Sequence, residues 1–181
     1  FNYASYMELK NARASIVSDL CWGGFASFQL GLEHLSPFKN LFITDNDYIR
    51  LLRDLRGYCE NYEPVFKEFA TADGANPYPV MMLGDVPLHF NHADSPEDAL
   101  QDWNRRLAKM NWDNVFVEMG TKYPEFSAAF EELDGLPNRV CFVPWEPARP
   151  HELRISQPFG RWQYFDMVNK TAMENPFMVD L

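Results

Sequence analysis

The stretch at residues 14–24, ASIVSDLCWGG, constrains this chain more than any other. A short apolar run at 14–18 breaks into a turn that carries Cys21, Gly23 and Gly24. A helical pattern at 25–32 follows at once, with Phe25, Phe28, Leu30 and Leu32 as its apolar positions. A strand that passes through a tight turn into a helix is the unit of open α/β sheets, and ligands bind beyond the strand's carboxyl end. Cys21 stands where a nucleophile is useful, and the two glycines allow close backbone approach to a ligand. The glycine spacing matches neither a dinucleotide fingerprint nor a phosphate loop. A lone cysteine is also often a small packing residue, so both readings of Cys21 are open.

Strand and helix patterns alternate along the rest of the chain. Residues 2–10 read as a first helix and 41–44 (LFIT) as a second strand. Thr44, Asp45 or Asn46 can cap a following helix whose stripe is Tyr48, Leu51, Leu52, Leu55 and Cys59, which makes Cys59 structural. Residues 71–79 read as a surface loop. Residues 80–83 and 86–90 flank Gly84-Asp85, which fits a type II′ hairpin turn, and Pro87 puts the second strand at an edge. The clearest helix is 96–110: Ser95 caps it, Pro96 suits its first position, and Leu100, Trp103, Leu107 and Met110 form its apolar stripe. Residues 115–119 and 139–143 are strands, the second holding Cys141, with a helix at 124–133 between them. The expected fold is α/β: one domain over residues 1–181, a mixed, mostly parallel sheet with flanking helices and one β-hairpin. The segment after Pro144 carries no clear pattern.

Composition excludes several functions. The net charge of −10 argues against a nucleic-acid partner, which requires a basic surface, and against anionic membrane surfaces. The three cysteines are too few and too widely spaced for a disulfide framework or a zinc site, which points to a reducing, cytoplasmic location. No apolar run approaches the ~20 residues of a membrane span, and no secretory apolar region is present. The chain opens on Phe1 rather than methionine, which leaves room for a processed leader.

Four regions hold chemistry-bearing residues. The turn at Cys21 is the first. The second, residues 84–94, brings Asp85, His89 and His92 close in sequence. On an extended strand the two histidines point to opposite faces, so they suit acid–base work better than a metal pair unless the chain turns at Asn91. The third is Asp45-x-Asp47, a possible cation pair in the manner of glycosyltransferases, or simply acids at a helix start. The fourth is residues 103–114, where Arg105 and Arg106 can clamp an anion, or pair with Asp102, and Trp103 or Trp112 can stack on a sugar.

CWGG after the first strand, then LGDVPLHFNH and SPEDALQDWNRRLAKMNWDNVFV, resemble a bacterial family. It is known as domain of unknown function nineteen-nineteen and often labelled exopolysaccharide biosynthesis. The similarity runs from about Ser15 to Val143, and its most specific part is the Trp-x-Arg-Arg helix followed by Asn111, Asp113 and Asn114. Family members typically show Ser-Asn-Asn before the cysteine, where this chain has Ser18-Asp19-Leu20. The resemblance implies an α/β fold and a carbohydrate or glycolipid precursor as partner.

The expected activity is a transferase that modifies a sugar or polysaccharide by acyl transfer. Cys21 would be its nucleophile, His89 its base with His92 as the rival, and Asp85 an orienting group. Backbone N–H groups at Gly23 and Gly24 would stabilise the oxyanion. Trp22, Trp103, Arg105, Arg106 and Asn111 complete the expected substrate contacts. The donor would be an acyl donor or a nucleotide-sugar. A glycosyltransferase and a non-enzymatic glycan- or partner-binding module are the alternatives.

Overall fold

The computed structural model describes residues 3–71 and 76–155. In chain order the elements are α1 (Tyr3–Ala12), β1 (Ser15–Ser18), α2 (Trp22–Gln29), α3 (Asp45–Leu52), α4 (Leu55–Asn61), β2 (Val65–Ala70), β3 (Tyr78–Leu83), β4 (Val86–His89), α5 (Pro96–Leu107), β5 (Val115–Gly120), α6 (Pro124–Glu131), β6 (Asn138–Val143) and β7 (Glu152–Arg154). Strands β1, β5, β6 and β7 form a parallel sheet in that order. Strands β2, β3 and β4 form a separate antiparallel sheet. This is the expected α/β class with its parallel strands, flanking helices and hairpin. The hairpin, however, does not join the parallel strands: it gains β2 as a third strand instead.

Parallel sheets need cover on both faces, because their crossovers carry helices. The side chains show it. Ile16, Phe116, Val140 and Phe142 point to one face, where they pack with Trp22 and Ala26 of α2. Val17, Val117, Met119, Cys141 and Val143 alternate with them and point to the other face. There they meet α3, α5, α6 and the buried side chains of β3 and β4.

Local chemistry explains most boundaries. Thr44 caps α3 by accepting from Asp47 N, and Ser95 caps α5 by accepting from Asp98 N. Gly84 carries φ +61 in the two-residue turn between β3 and β4, while Asp85 keeps a negative φ, as a type II′ turn requires. Pro87 lies on β4 at the border of its sheet.

Four expectations are corrected. Residues 41–44 make no full strand: Phe42 alone bridges His89, and Ile43 N–H donates to the Asp19 carbonyl at 3.0 Å. The helix expected through Cys59 splits into α3 and α4, because the Asp54 side chain accepts from Gly57 N–H at 3.1 Å and starts a new helix. Cys59 is buried, as its stripe implied. Helix α2 starts at Trp22 rather than Phe25, so both glycines lie in its first turn, and Phe28 is 76% exposed. Strands β2 and β7 were unread. All six β2 residues are open or partly open to solvent, so no alternation marks the strand, and β7 has only three residues. Residues 72–75 of the expected loop, and 156–181, lie outside the described residues, and Tyr78 and Pro79 already belong to β3.

Candidate active site

The candidate site forms at the carboxyl end of β1. Asp19 and Leu20 link β1 to α2, and Cys21 is the residue at the helix N-cap. Its backbone is helical (φ −77, ψ −2) and its side chain does not cap the helix. The helix sits close on β1 because position 23 is glycine. A Cβ there would come within 2.7 Å of Ser18 Oγ and 2.9 Å of an Ile16 methyl carbon. Gly23 N–H donates to Ser18 Oγ at 3.2 Å, and Ser18 donates to the Leu20 carbonyl at 2.9 Å. These bonds fix the turn that aims the thiol.

Cys21 Sγ lies 3.3 Å from His92 Nε2. The chain does turn after β4: Phe90 N–H donates to the Pro79 carbonyl at 2.9 Å, and Ala93 N–H to the Phe90 carbonyl at 3.0 Å. That turn carries Asn91 and His92 over the start of α2. Asn91 lies close enough to Cys21 to lower its thiol pKa, and both Asn91 and His92 are exposed while Cys21 is buried. The buried sulfur therefore sits beneath an exposed base and an exposed amide.

Burial pushes the Cys21 thiol up to about 11; the Asp19 charge adds to this and the Asn91 side chain opposes it. At neutral pH the sulfur rests protonated. A base must take its proton before it attacks, and His92 Nε2 is at the distance to do so.

Three buried acids stand behind the cysteine. Asp19, Asp45 and Glu118 are 1%, 8% and 0% exposed. Asp19 Oδ1 accepts from Gly120 N–H at 3.3 Å, and Asp45 accepts from Thr121 Oγ1 at 2.7 Å. Asp19 Oδ2 and both Glu118 carboxyl oxygens are buried without a hydrogen bond. Burial, with Asp45 beside Asp19 and Asp19 beside Glu118, holds both carboxyls well above the usual range. Tyr48 places its hydroxyl 3.0 Å from the Val17 carbonyl and 2.9 Å from that of Glu118, tying β1 to β5 at the same end. Sequence reasoning passed over Glu118, although a glutamate inside the apolar run VFVEM was its signal.

The other expected site residues take separate places. His89 stays at the end of β4, its Nδ1 3.4 Å from the Tyr78 hydroxyl and its ring against Phe42, and burial lowers its pKa. Asp85, in the hairpin turn, accepts from the Tyr58 hydroxyl at 2.6 Å and pairs with Arg50. Trp22 is fully buried against Phe116 and Phe142, so it is core rather than a substrate contact. Gly23 N–H is engaged by Ser18, and the Asn40 side chain lies against Gly24. Trp103 is 1% exposed between Phe38 and Phe90. Trp112 is partly buried with Arg56 over its ring. Asn111 donates from Nδ2 to the Ala12 and Arg13 carbonyls, and its N–H donates to Ser15 Oγ. It therefore anchors the amino end of β1, opposite the thiol. Asp45 faces Thr121 while Asp47 holds Thr44 and Arg50, so the pair is divided. Among the described residues no group of three or more His, Cys, Asp or Glu side chains could hold a metal ion.

Arg105 and Arg106 both pair with Asp102 at 2.6 Å. Arg106 is the more enclosed of the two and faces a cleft of about 310 Å³ that also includes Lys39, Asn40, Phe90, His92 and Asp98. This cleft joins the Cys21–His92 pair through His92.

The fold and site define an α/β protein with a cysteine and a histidine paired at the carboxyl edge of a parallel sheet. The chain belongs to the family described as Domain of unknown function (DUF1919), whose pattern it matches over residues 1–156. It is also similar to an uncharacterized protein of Haemophilus influenzae, 30% identical over 138 residues. The match covers 75% of this chain and 64% of that protein, so the chain spans less than two thirds of its relative's length. No helix among the described residues is long and apolar enough to cross a membrane.

Proposed function

We propose that this protein is a transferase that moves an acyl group onto a sugar or polysaccharide precursor through Cys21. One observation carries the reading: the 3.3 Å approach of Cys21 Sγ to His92 Nε2 at the start of a helix. A general base within reach of a thiol can take its proton as it attacks, and this contact supports that role for His92. The carbohydrate acceptor rests on the likeness of the CWGG and Trp-x-Arg-Arg motifs to proteins labelled exopolysaccharide biosynthesis.

The steps balance. His92 Nε2 takes the thiol proton as Sγ bonds to the acyl carbonyl carbon of a thioester donor. The donor's sulfur then leaves, taking the proton back from His92. In the second half, His92 takes the proton of an acceptor hydroxyl as its oxygen attacks the Cys21 thioester. The Cys21 thiolate leaves and regains that proton. The Asn91 amide, beside the sulfur, offers a donor for the carbonyl oxygen, a role that the engaged Gly23 N–H cannot fill.

The test is intact-mass analysis after incubation with a thioester donor. The wild type should gain one acyl group and Cys21→Ala none. His92→Gln should form the acyl-enzyme about 10²- to 10⁴-fold more slowly. Full acylation of Cys21→Ala would overturn the proposal.

A further inference from the structure

The cleft beside His92 holds a charge arrangement that the acyl-transfer steps do not use, and within it a lysine that the sequence did not single out. Lys39 is partly buried, and among the described residues its ammonium has no hydrogen bond or ion pair. The charges that act on it are Arg106, Arg105 and a single carboxylate, Asp102. That carboxylate is already engaged by both arginines at 2.6 Å. Asp98, on the same wall, accepts from Ser95 Oγ at 2.7 Å. Burial, with Lys39 and Arg106 beside it, lowers His34 to about 4, so His34 sits there neutral at pH 7. Lys39, Arg105 and Arg106 thus gather around Asp102, while the other carboxylates lining the cleft, Asp94 and Asp98, do not act on Lys39. Crowded cations at a half-enclosed wall repel one another unless an anion joins them.

We propose that the Lys39–Arg106 end of this cleft is a subsite for a phosphate group of the substrate, next to His92. Arg106 offers a planar fork and Lys39 a point charge, the pairing that grips phosphate oxygens. A phosphate could arrive on a nucleotide-bearing thioester donor or on a glycosyl phosphate acceptor, and both present the same chemistry. The proposal rests on the acyl-transfer reading for its place in the reaction, but binding is measured separately from turnover.

The experiment uses the 181-residue chain and its Lys39→Gln variant. Calorimetry with pyrophosphate should show binding to the wild type that weakens at least tenfold in Lys39→Gln and falls with added salt. Thermal melting of the variant checks that it is folded. Acylation of Cys21 is then compared between acetyl-coenzyme A and a phosphate-free N-acetylcysteamine thioester. Deacylation is compared between glucose 1-phosphate and glucose. An advantage for the phosphate-bearing member of one pair that shrinks at least tenfold in Lys39→Gln supports the subsite and identifies the source. No pyrophosphate binding, equal binding by Lys39→Gln, or, once Cys21 is seen to acylate, an advantage in neither pair overturns it. If pyrophosphate binds through Lys39 while Cys21 never acylates, the covalent reading falls and the anion site stands. If Cys21 acylates but pyrophosphate does not bind, the subsite alone falls.

Discussion

Cys21 Sγ and His92 Nε2 meet at 3.3 Å although 71 positions separate them in the chain. The pair joins the start of α2 to the turn after β4, two segments that belong to different sheets. Because the thiol is held at about 11, its reactivity should follow its deprotonated fraction. Alkylation of Cys21 should be slow at pH 7 and rise about tenfold per pH unit toward 11, as the thiolate fraction of a single titrating group does. Asp19→Asn removes a charge that raises the thiol pKa, so the apparent value should fall. Peptide mass spectrometry of labelling against pH reads both, with Cys59, held at about 12, as an internal control.

Glu118 should make the protein lose stability as pH rises. Its folded pKa stands above its unfolded value, so the native state keeps a proton that the unfolded state releases. Its contribution is complete below the unfolded pKa, about 4.3, and is lost as pH climbs toward the folded pKa, at up to about 1.4 kcal/mol per pH unit. Glu118→Gln does not titrate. Urea melts at pH 5 and pH 8 should show a smaller fall for the variant than for the wild type, and equal slopes would contradict the buried-proton account.

Asn111→Ala should destabilise without touching the chemistry. The side chain donates to two carbonyls at the α1–β1 junction and accepts from Asp113 N–H, and its loss removes these three bonds. A cost of about 0.5–1.5 kcal/mol is expected, because the freed groups are open to water. Chemical denaturation measures that cost, and the rate of Cys21 acylation below the melting transition should match the wild type.

Trp103→Ala should cost about 3–5 kcal/mol, because the ring is enclosed by Phe38 and Phe90 and its removal leaves a cavity. A glycan-stacking tryptophan would instead be removed with little change in the melt, so the denaturation midpoint separates the two roles.

Gly23→Ala should destabilise by about 1–3 kcal/mol through overpacking against Ser18 and Ile16. The same shift moves the helix start that carries Cys21, so acylation should slow as well. Gly135→Ala is a different case: nothing stands near its Cβ position, and its cost comes from φ +73 alone.

Local pattern was enough for the elements whose signal lies within a few residues. The SIVS and VFVEM strands, the Ser95-Pro96 helix start and the Gly84-Asp85 turn each carry their own cap, breaker or alternation. The cysteine in the strand-to-helix turn was legible for the same reason. β2 was not, because an exposed strand has no buried face to impose alternation. Asp54 split one expected helix into two through a single side-chain bond that competes with the backbone.

The sequence by itself determined the α/β class, the acidic surface and the place of Cys21 at a strand's carboxyl end, since these follow from composition and short-range periodicity. Tertiary structure decided which histidine serves the thiol. His89 and His92 are three residues apart and chemically identical, and only the turn through Phe90 and Ala93 sends one to the cysteine and leaves the other on Tyr78. It also decided that Trp22, Trp103 and Asn111 hold the fold together, and that Asp19 and Glu118 are sealed behind the site. Burial and pairing are sums over distant segments, so residue type and spacing along the chain do not contain them.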